Sequence, residues 1–305
     1  MKITITGSSG FIGRNLSSYL EENLNVEIVK IGRPQIYDGS YVDLLGDVVI
    51  HLAGKAHDVK NSSAEDEYYK ANFELTRQLY DVFLKSDSRI FIFVSSVKAV
   101  RDNCTESLTE DIIPSPQSPY GKSKLMAEEY IMANKPPEGK SYFILRPCMV
   151  HGPGNKGNMN LLYSFVNKGV PWVFGAFQNK RSFCSVENFC FVINELVQRN
   201  DIYSGIYNIA DDTPLSTNEL ISLIANASHK RIHIYKVSKR FIKAIFKLGD
   251  ILGLPINTDK LDKMTSSYIV ENSKLIKALG KGLPVGAKEG LIRTFQSFRN
   301  KDKFI

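Results

Sequence analysis

The sequence has no apolar run that approaches the roughly 18 residues of a membrane-spanning helix. It has only four cysteines, and these form no Cys-x-x-Cys pair and lie in no histidine cluster, which argues against a metal site and a disulfide framework. We also expect no secretion signal, because residues 3–6 are already strand-like. We therefore expect a cytoplasmic protein with free thiols, no metal and no membrane span.

The sequence has no excess of negative charge, and its positive charge is unevenly distributed along the chain. The 305 residues carry a net charge of +7, but residues 229–305 hold 17 Lys and Arg against 6 Asp and Glu, while residues 1–228 hold 22 against 26. The hydrophobic content of 43% excludes a disordered chain. No basic-aromatic motif accompanies the basic end, so we expect no nucleic-acid partner.

Short apolar segments alternate with helical patterns over the first 150 residues. The sequence predicts strands at 3–6, 26–31, 47–52, 89–95 and 142–145, and helices at 12–23, 65–86 and 119–134. This alternation is typical of an α/β fold with a doubly wound parallel sheet, the Rossmann type. Beyond residue 150 the rhythm loosens, which predicts a smaller, mixed C-terminal domain over 151–305 with some segments returning to the sheet.

Three glycines follow the first predicted strand and open the first predicted helix. Gly7 allows a tight turn, Gly10 lets the backbone approach a pyrophosphate, and Gly13 lets the helix pack closely on the strand. A dinucleotide pyrophosphate would then lie at the amino end of that helix. We predict that residues 1–150 form an NAD(P)-binding domain.

The acidic residue that would hold a ribose hydroxyl is missing at the end of the second strand. Arg14 and Arg33 stand near that position instead, and arginine suits a 2′-phosphate, so NADP is favoured over NAD. The alternative is that either arginine simply faces solvent. Asp38 or Asp43 remains a candidate for the adenine side.

A tyrosine and a lysine stand four residues apart on a predicted helix. Tyr120 and Lys124 therefore share one helix face, and a nearby ammonium is expected to lower the pKa of the tyrosine. The strand that ends at Ser95 and Ser96 could bring a hydroxyl to the same substrate oxygen. Together these groups suit proton transfer.

These motifs, in this order, resemble the extended short-chain dehydrogenase/reductase family. The matching pieces are Thr6-Gly-x-x-Gly-x-x-Gly, His51-Leu-Ala-Gly54, Asn72, Ser95-Ser96, Tyr120-x-x-x-Lys124 and the segment from Leu145 to Gly154. The resemblance implies that Tyr120 is the acid/base, that Lys124 assists it, and that Ser96 contacts the substrate hydroxyl. The implied cofactor-binding residues are Gly7, Gly10, Phe11, Ile12, Gly13, Arg14, Arg33, Leu52, Ala53, Gly54, Asn72, Ser95, Tyr120 and Lys124.

The second half resembles the nucleotide-sugar branch of this family. The resemblance implies a UDP-sugar substrate bound mainly by residues 151–305, with Asn158 and Arg181 on its diphosphate side, and a homodimer. The alternative for Arg181 is a loop arginine that pairs with Glu187. Dehydratases of the family carry an Asp-Glu pair after the catalytic hydroxyl residue, but Val97 and Lys98 stand there, so dehydration is not expected.

The pattern is similar to reductases of UDP-4-keto-6-deoxy-N-acetylhexosamines, the N-acetylquinovosamine group. The alternative is a UDP-hexose or UDP-N-acetylhexosamine 4-epimerase, which would use the same residues. A more remote alternative is an NADP-binding redox sensor without catalysis, although such a protein typically lacks the tyrosine-lysine pair.

The basic end contains one further amphipathic pattern. Residues 238–254 are predicted to form a helix with a broad apolar face beside several lysines. We expect that face to pack into the C-terminal domain. The alternative is a peripheral contact with an anionic lipid surface.

Overall fold

The computed structural model describes residues 1–55, 65–104, 106–155, 157–254 and 256–302. Six parallel strands form one sheet in the order β2-β1-β3-β4-β5-β8. The strands are β1 (Lys2–Thr6), β2 (Glu27–Ile31), β3 (Val48–His51), β4 (Ile90–Val94), β5 (Ser141–Pro147) and β8 (Gly205–Ile209). A separate parallel pair consists of β6 (Met149–His151) and β7 (Phe183–Ser185).

Helices cover both faces of the sheet, because its central strands are apolar on both sides. Every residue of β3 and β4 is buried, as expected for parallel strands between two helical layers. One face packs against α1 (Phe11–Asn23) and α7 (Val186–Gln198), and the other against α4 (Leu75–Lys85) and α5 (Pro119–Ala133). The predicted Rossmann-type parallel α/β sheet is therefore confirmed.

The remaining helices lie around this framework. A turn of π-helix, Tyr69–Glu74, joins α3 to α4. The bounds are α2 (Arg33–Asp38), α3 (Glu65–Tyr68), α6 (Asn158–Asn167), α8 (Thr217–Ala227), α9 (Lys239–Ile251), α10 (Thr258–Thr265), α11 (Ser273–Leu279) and α12 (Ala287–Asp302).

A second apolar core lies beside the sheet. It is built from α6, α8 and α12 around Trp172 and Phe295. Strand β8 returns from this half of the chain to the edge of the main sheet beside β5. The division into domains at residue 150 stays a prediction.

Helix α9 departs from its predicted environment. The packing expected for its apolar face is confirmed only in part: Ile242 is buried and Phe246 half-buried, but Phe241, Leu248 and Ile251 are exposed by 60%, 53% and 73%. The predicted helix itself is confirmed.

None of the helices in the described ranges is long and apolar enough to span a membrane. In the same residues no group of three or more His, Cys, Asp or Glu side chains is arranged to hold a metal ion. The four cysteines are buried and free, as predicted.

Candidate active site

The glycine-rich turn lies where the order of the strands reverses. Strands β1 and β3 are neighbours, β2 lies on the far side of β1, and ligands of such sheets bind at the carboxyl ends of the strands at this point. Gly7 has a φ of +71°, and a Cβ there would lie 2.7 Å from the backbone nitrogen of Ala53. A Cβ at Gly13 would lie 2.4 Å from the carbonyl oxygen of Gly7. Both positions therefore require glycine.

The amino end of α1 suits a pyrophosphate. Its N-cap is Gly10, which has no side chain to occupy the helix end, and the first turn carries no acidic residue. A Cβ at Gly10 would meet only the Gly7 carbonyl oxygen, at 3.3 Å, so its outer side is open for a ligand to approach. The first backbone amides of α1 and the positive end of its dipole are free of a competing anion. Phe11 and Ile12 pack half-buried against the core below this turn.

The end of β2 carries no acidic side chain. Gly32 follows the strand, and the exposed Arg33 donates from Nη2 to the Gly54 carbonyl oxygen at 2.8 Å. Arg14 is also exposed and donates to the Ser9 carbonyl oxygen. The guanidinium of Arg14 therefore lies beside the glycine-rich turn, and that of Arg33 lies beside the segment that follows β3.

The candidates for the adenine side are two aspartates, Asp38 and Asp43. Hydrogen bonds from the hydroxyl and the backbone nitrogen of Ser40, the latter at 2.9 Å, lower the pKa of the Asp38 carboxyl. Asp43 is exposed in the short helical turn Val42–Leu44. Within the described residues, neither carboxylate forms a hydrogen bond or an ion pair with the glycine-rich turn.

The segment after β3 ties the sheet to the π-helical turn. The backbone nitrogen of Ala53 donates to the Thr6 hydroxyl at 3.2 Å, which holds Leu52, Ala53 and Gly54 against β1. The buried Asn72 accepts a hydrogen bond from the Lys55 backbone nitrogen at 2.8 Å.

Asn72 also connects this segment to α5, the helix of the tyrosine and the lysine. Its amide donates to the Ser123 hydroxyl at 3.0 Å. A Cβ at Gly54 would lie 2.6 Å from Asn72 Oδ1 and 3.4 Å from Lys124 Nζ. Three predicted cofactor residues, Gly54, Asn72 and Lys124, are thus neighbours.

Helix α5 presents Tyr120 to the end of β4. Ser118 caps the helix by accepting from the Gly121 backbone nitrogen, and Pro119 occupies its first position. The side chains of Tyr120 and Ser96 are hydrogen-bonded to each other. The structure therefore brings together the hydroxyl groups of Tyr120 and Ser96, which the sequence predicts to act on one substrate oxygen.

The electrostatics of Tyr120 differ from the expectation. Burial raises the pKa of Tyr120, and the hydrogen bond from Ser96 opposes this rise only in part. The predicted lowering by Lys124 is therefore wrong, because the ammonium of Lys124 is itself buried and donates to the Val94 carbonyl oxygen at 2.9 Å. Burial lowers the pKa of Lys124 to about 8.

A buried ion pair lies behind the catalytic helix face, and the sequence reading missed it. Arg146 of β5 is 2% exposed and holds Glu128 of α5, which is 0% exposed, through Nε at 3.0 and 3.1 Å and through Nη2 at 2.5 Å. The predicted cofactor residue Ser95 donates its hydroxyl to the same carboxylate. Glu128 follows Lys124 by four residues, and this spacing was the available signal.

Arg181 belongs to the C-terminal half of the chain, and its side chain lies beside α10. Its backbone pairs with Leu215, and its guanidinium donates to the Lys263 carbonyl oxygen at 2.7 Å. Glu187 pairs with Arg293 instead, so the alternative pairing of Arg181 with Glu187 is wrong. Asn158 begins α6, and its side chain lies outside the described part of the structure.

Lys98 occupies the place of the dehydratase carboxylate, and Val97 before it is buried. The Lys98 ammonium donates to the Asp102 carbonyl oxygen and lies 4.9 Å from the centre of the Tyr268 ring. Burial and the nearby cations, Arg181 first, lower the pKa of Lys98, and Asp102 opposes them. Lys98 therefore places a cation, and not a proton-abstracting carboxylate, at the position two residues after Ser96.

The chain belongs to the NAD-dependent epimerase/dehydratase family, whose model matches residues 3–210. A UDP-glucose 4-epimerase of Vibrio cholerae is 29% identical over 97% of this chain and 95% of its own length. An N-acetyl-α-D-glucosaminyl-diphospho-ditrans,octacis-undecaprenol 4-epimerase of Escherichia coli O157:H7 is 29% identical over 75% of this chain and 73% of its own. A UDP-2-acetamido-2,6-β-L-arabino-hexul-4-ose reductase of Pseudomonas aeruginosa is 30% identical over 52% of this chain and 38% of its own.

Solved structures share the fold over nearly the whole chain. MoeE5 in complex with UDP-glucuronic acid and NAD superposes with a TM-score of 0.77 at 22% identity, over 99% of this chain and 100% of the other. RMD from Pseudomonas aeruginosa, complexed with NADPH, superposes with a TM-score of 0.71 at 22% identity, over 97% and 98%. The protein is therefore an NAD(P)-dependent enzyme of the nucleotide-sugar epimerase and reductase kind, as the family and its members indicate.

Proposed function

We propose that the protein transfers a hydride between a nicotinamide cofactor and C4 of a diphosphate-linked sugar, with Ser96, Tyr120 and Lys124 as its catalytic residues. The observation that carries the proposal is the hydrogen bond between Tyr120 and Ser96 at the end of β4, with Lys124 on the next turn beside Gly54 and Asn72. A bound nicotinamide supplies or accepts the hydride.

The residues of the chain handle the proton and the orientation. Because burial raises its pKa, Tyr120 holds its phenolic proton at neutral pH and can give it to the C4 oxygen when a ketone becomes an alcohol. Ser96 holds the phenol and can hydrogen-bond the same oxygen. Lys124, on the next turn beside Gly54 and Asn72, would hold the ribose of the nicotinamide.

The first candidate reaction is reduction of a UDP-4-keto-6-deoxy-N-acetylhexosamine. Val97 and Lys98 leave no carboxylate at the dehydratase position, which argues against dehydration. The similarity to the hexul-4-ose reductase supports this candidate over half of the chain.

The second candidate is 4-epimerisation, in which the sugar is oxidised and then reduced on the other face by the same cofactor. The similarity to the Vibrio cholerae epimerase supports it over 97% of the chain. The undecaprenol-linked relative adds a further substrate class, a sugar whose diphosphate is attached to a lipid and not to uridine.

We also propose a preference for NADP(H). The exposed guanidinium groups of Arg33 and Arg14 support this preference, because either could give a 2′-phosphate a bidentate partner. On the substrate side we propose that Arg181 and Asn158 bind the diphosphate within a sugar-binding domain of residues 151–305. A cytoplasmic homodimer stays our working expectation for the assembly.

The test is incubation of the purified protein with NADPH or NAD and three substrates: a 4-keto UDP-sugar, UDP-hexoses, and a short-chain polyprenyl-diphosphate sugar. Stoichiometric NADPH oxidation with the 4-keto sugar identifies the reductase. Interconversion of C4 epimers without net cofactor consumption identifies the epimerase. Cofactor binding without turnover of any substrate would overturn the proposal in favour of a non-catalytic NADP-binding protein.

A further inference from the structure

An exposed apolar surface lies on α9 and the turn that follows it. We call it the apolar ridge; it consists of Phe241, Ile245, Leu248, Ile251, Leu252, Leu254 and Ile256. Of the 18 exposed large hydrophobic side chains in the described residues, these seven fall within 16 positions, while most of the others are scattered singly. Single exposed apolar residues are ordinary, but a contiguous patch marks a binding surface.

The helix has three distinct faces. Ile242 and Phe246 pack against Phe174, Phe177 and Leu261, which anchors α9 to the protein. Residues 241, 245, 248 and 252 are spaced by four, three and four, so they share a second face, which is exposed by 37–61%. The third face carries the charged residues.

That third face is strongly basic. Lys239, Arg240, Lys243 and Lys247 are all exposed. Asp250 is the one acidic residue of α9, and its carboxylate already accepts hydrogen bonds from the Thr258 backbone nitrogen at 3.1 Å and hydroxyl at 2.8 Å. An apolar face beside a cationic face is the arrangement of a helix that lies in a membrane interface.

We propose that the apolar ridge and its flanking cations dock the protein on an anionic lipid surface. A second copy of the chain is a poorer occupant, because a two-fold contact places the same patch on both sides and would bring the cations of α9 close to their own equivalents. An anionic membrane accepts both faces at once: its acyl boundary takes the ridge, and its headgroups take the cations.

The position of α9 connects this surface to the proposed substrate site. Leu261 of α10 packs on Ile242 of α9, and the carbonyl oxygen of Lys263, also in α10, accepts the guanidinium hydrogen bond of Arg181. Docking through α9 would hold the Arg181 side of the protein near the lipid headgroups.

The test is co-sedimentation of the intact protein with vesicles, at low and high salt. We expect binding to vesicles of phosphatidylcholine with phosphatidylglycerol, little binding to phosphatidylcholine alone, and release by salt. Phe241→Ser with Leu248→Ser should weaken the partitioning at least about tenfold, because two apolar side chains that would enter the acyl boundary are lost. Lys243→Gln with Lys247→Gln should weaken it about 25-fold, about fivefold for each lysine.

Matched controls separate the ridge from general surface effects. Ile113→Ser with Leu161→Ser removes two exposed apolar side chains elsewhere, and Lys30→Gln with Lys85→Gln removes two exposed cations elsewhere. Both control pairs should bind vesicles like the parent protein. None of these variants should change turnover of a water-soluble sugar substrate, so failure of the docking and failure of the proposed function are distinguishable.

Any of three results would overturn the proposal. One is no sedimentation of the parent protein with anionic vesicles at low salt, and the second is equal sedimentation of the ridge variant. The third is a dimer in analytical ultracentrifugation that the Phe241→Ser, Leu248→Ser variant converts to a monomer, since a second copy would then cover the ridge.

Discussion

Breaking the buried ion pair between Glu128 and Arg146 should destabilise the protein strongly. Arg146 is 2% exposed and Glu128 0% exposed, so neither charge has access to water when its partner is removed. Replacing Glu128 with Gln keeps the size of the side chain but removes its charge. The guanidinium then stays buried beside a neutral amide, and its Nη1 already has no hydrogen-bond partner.

The expected cost is about 3–5 kcal/mol in the free energy of unfolding, which is the usual cost of leaving one buried charge unpaired. Arg146→Met should cost a similar amount, because the carboxylate would then keep only the hydroxyl of Ser95 as a partner. The double variant should be much less destabilised than the sum of the two, since replacing a buried pair as a whole is often close to neutral.

Urea denaturation of the parent, the two single variants and the double variant measures this coupling directly. An exposed pair gives the matched control: Lys263→Gln should change the free energy of unfolding by less than about 1 kcal/mol, because its partner Asp259 is solvated. If the two single changes each cost less than about 1 kcal/mol and add without coupling, the buried pair does not stabilise the protein as argued.

Three further outcomes follow from the site. Tyr120→Phe should lower turnover about 10²-fold or more while cofactor affinity, measured by fluorescence titration, stays near the parent value; near-normal turnover would remove Tyr120 from the mechanism. Arg14→Ala with Arg33→Ala should weaken the binding of NADPH far more than that of NADH in the same titration. Tighter binding of NADH than of NADPH by the parent would contradict the proposal that these arginines bind the 2′-phosphate. Burial lowers the pKa of Lys124 to about 8, so NADPH affinity should fall as the pH rises through about 8 and the ammonium loses its charge. Lys124→Met should abolish this pH dependence, and a flat affinity profile in the parent would refute the prediction.

The parallel sheet was predictable because its signals are local. The segments that became β3 and β4 are short, apolar and bounded by polar residues or turns, and Gly7 and Gly13 occupy positions where any Cβ would collide with backbone. The strand bounds shifted by one or two residues, because hydrogen bonding to a neighbouring strand, and not composition, ends a strand.

The electrostatics of the site were less predictable, because they depend on burial. Spacing placed Tyr120 and Lys124 on one helix face but could not show that the ammonium of Lys124 points to the Val94 carbonyl oxygen. In the same way, Glu128 reads as an ordinary helical glutamate until β5 brings Arg146 against it. A sequence gives the charge of a side chain, whereas its pKa depends on distances that only the folded chain sets.

The environment of helix α9 was likewise predictable from the sequence only in part. Its amphipathic pattern predicts that one face avoids water, but not which partner covers that face, because the same pattern serves a protein core, a second subunit and a lipid surface. The fold settles part of this question by burying Ile242 while leaving Phe241 and Leu248 exposed. The basic residues of the third face then favour an anionic partner over a like-charged copy. The uneven charge of residues 229–305, which the sequence shows but does not explain, thereby acquires a physical role next to the side of the protein where Arg181 lies.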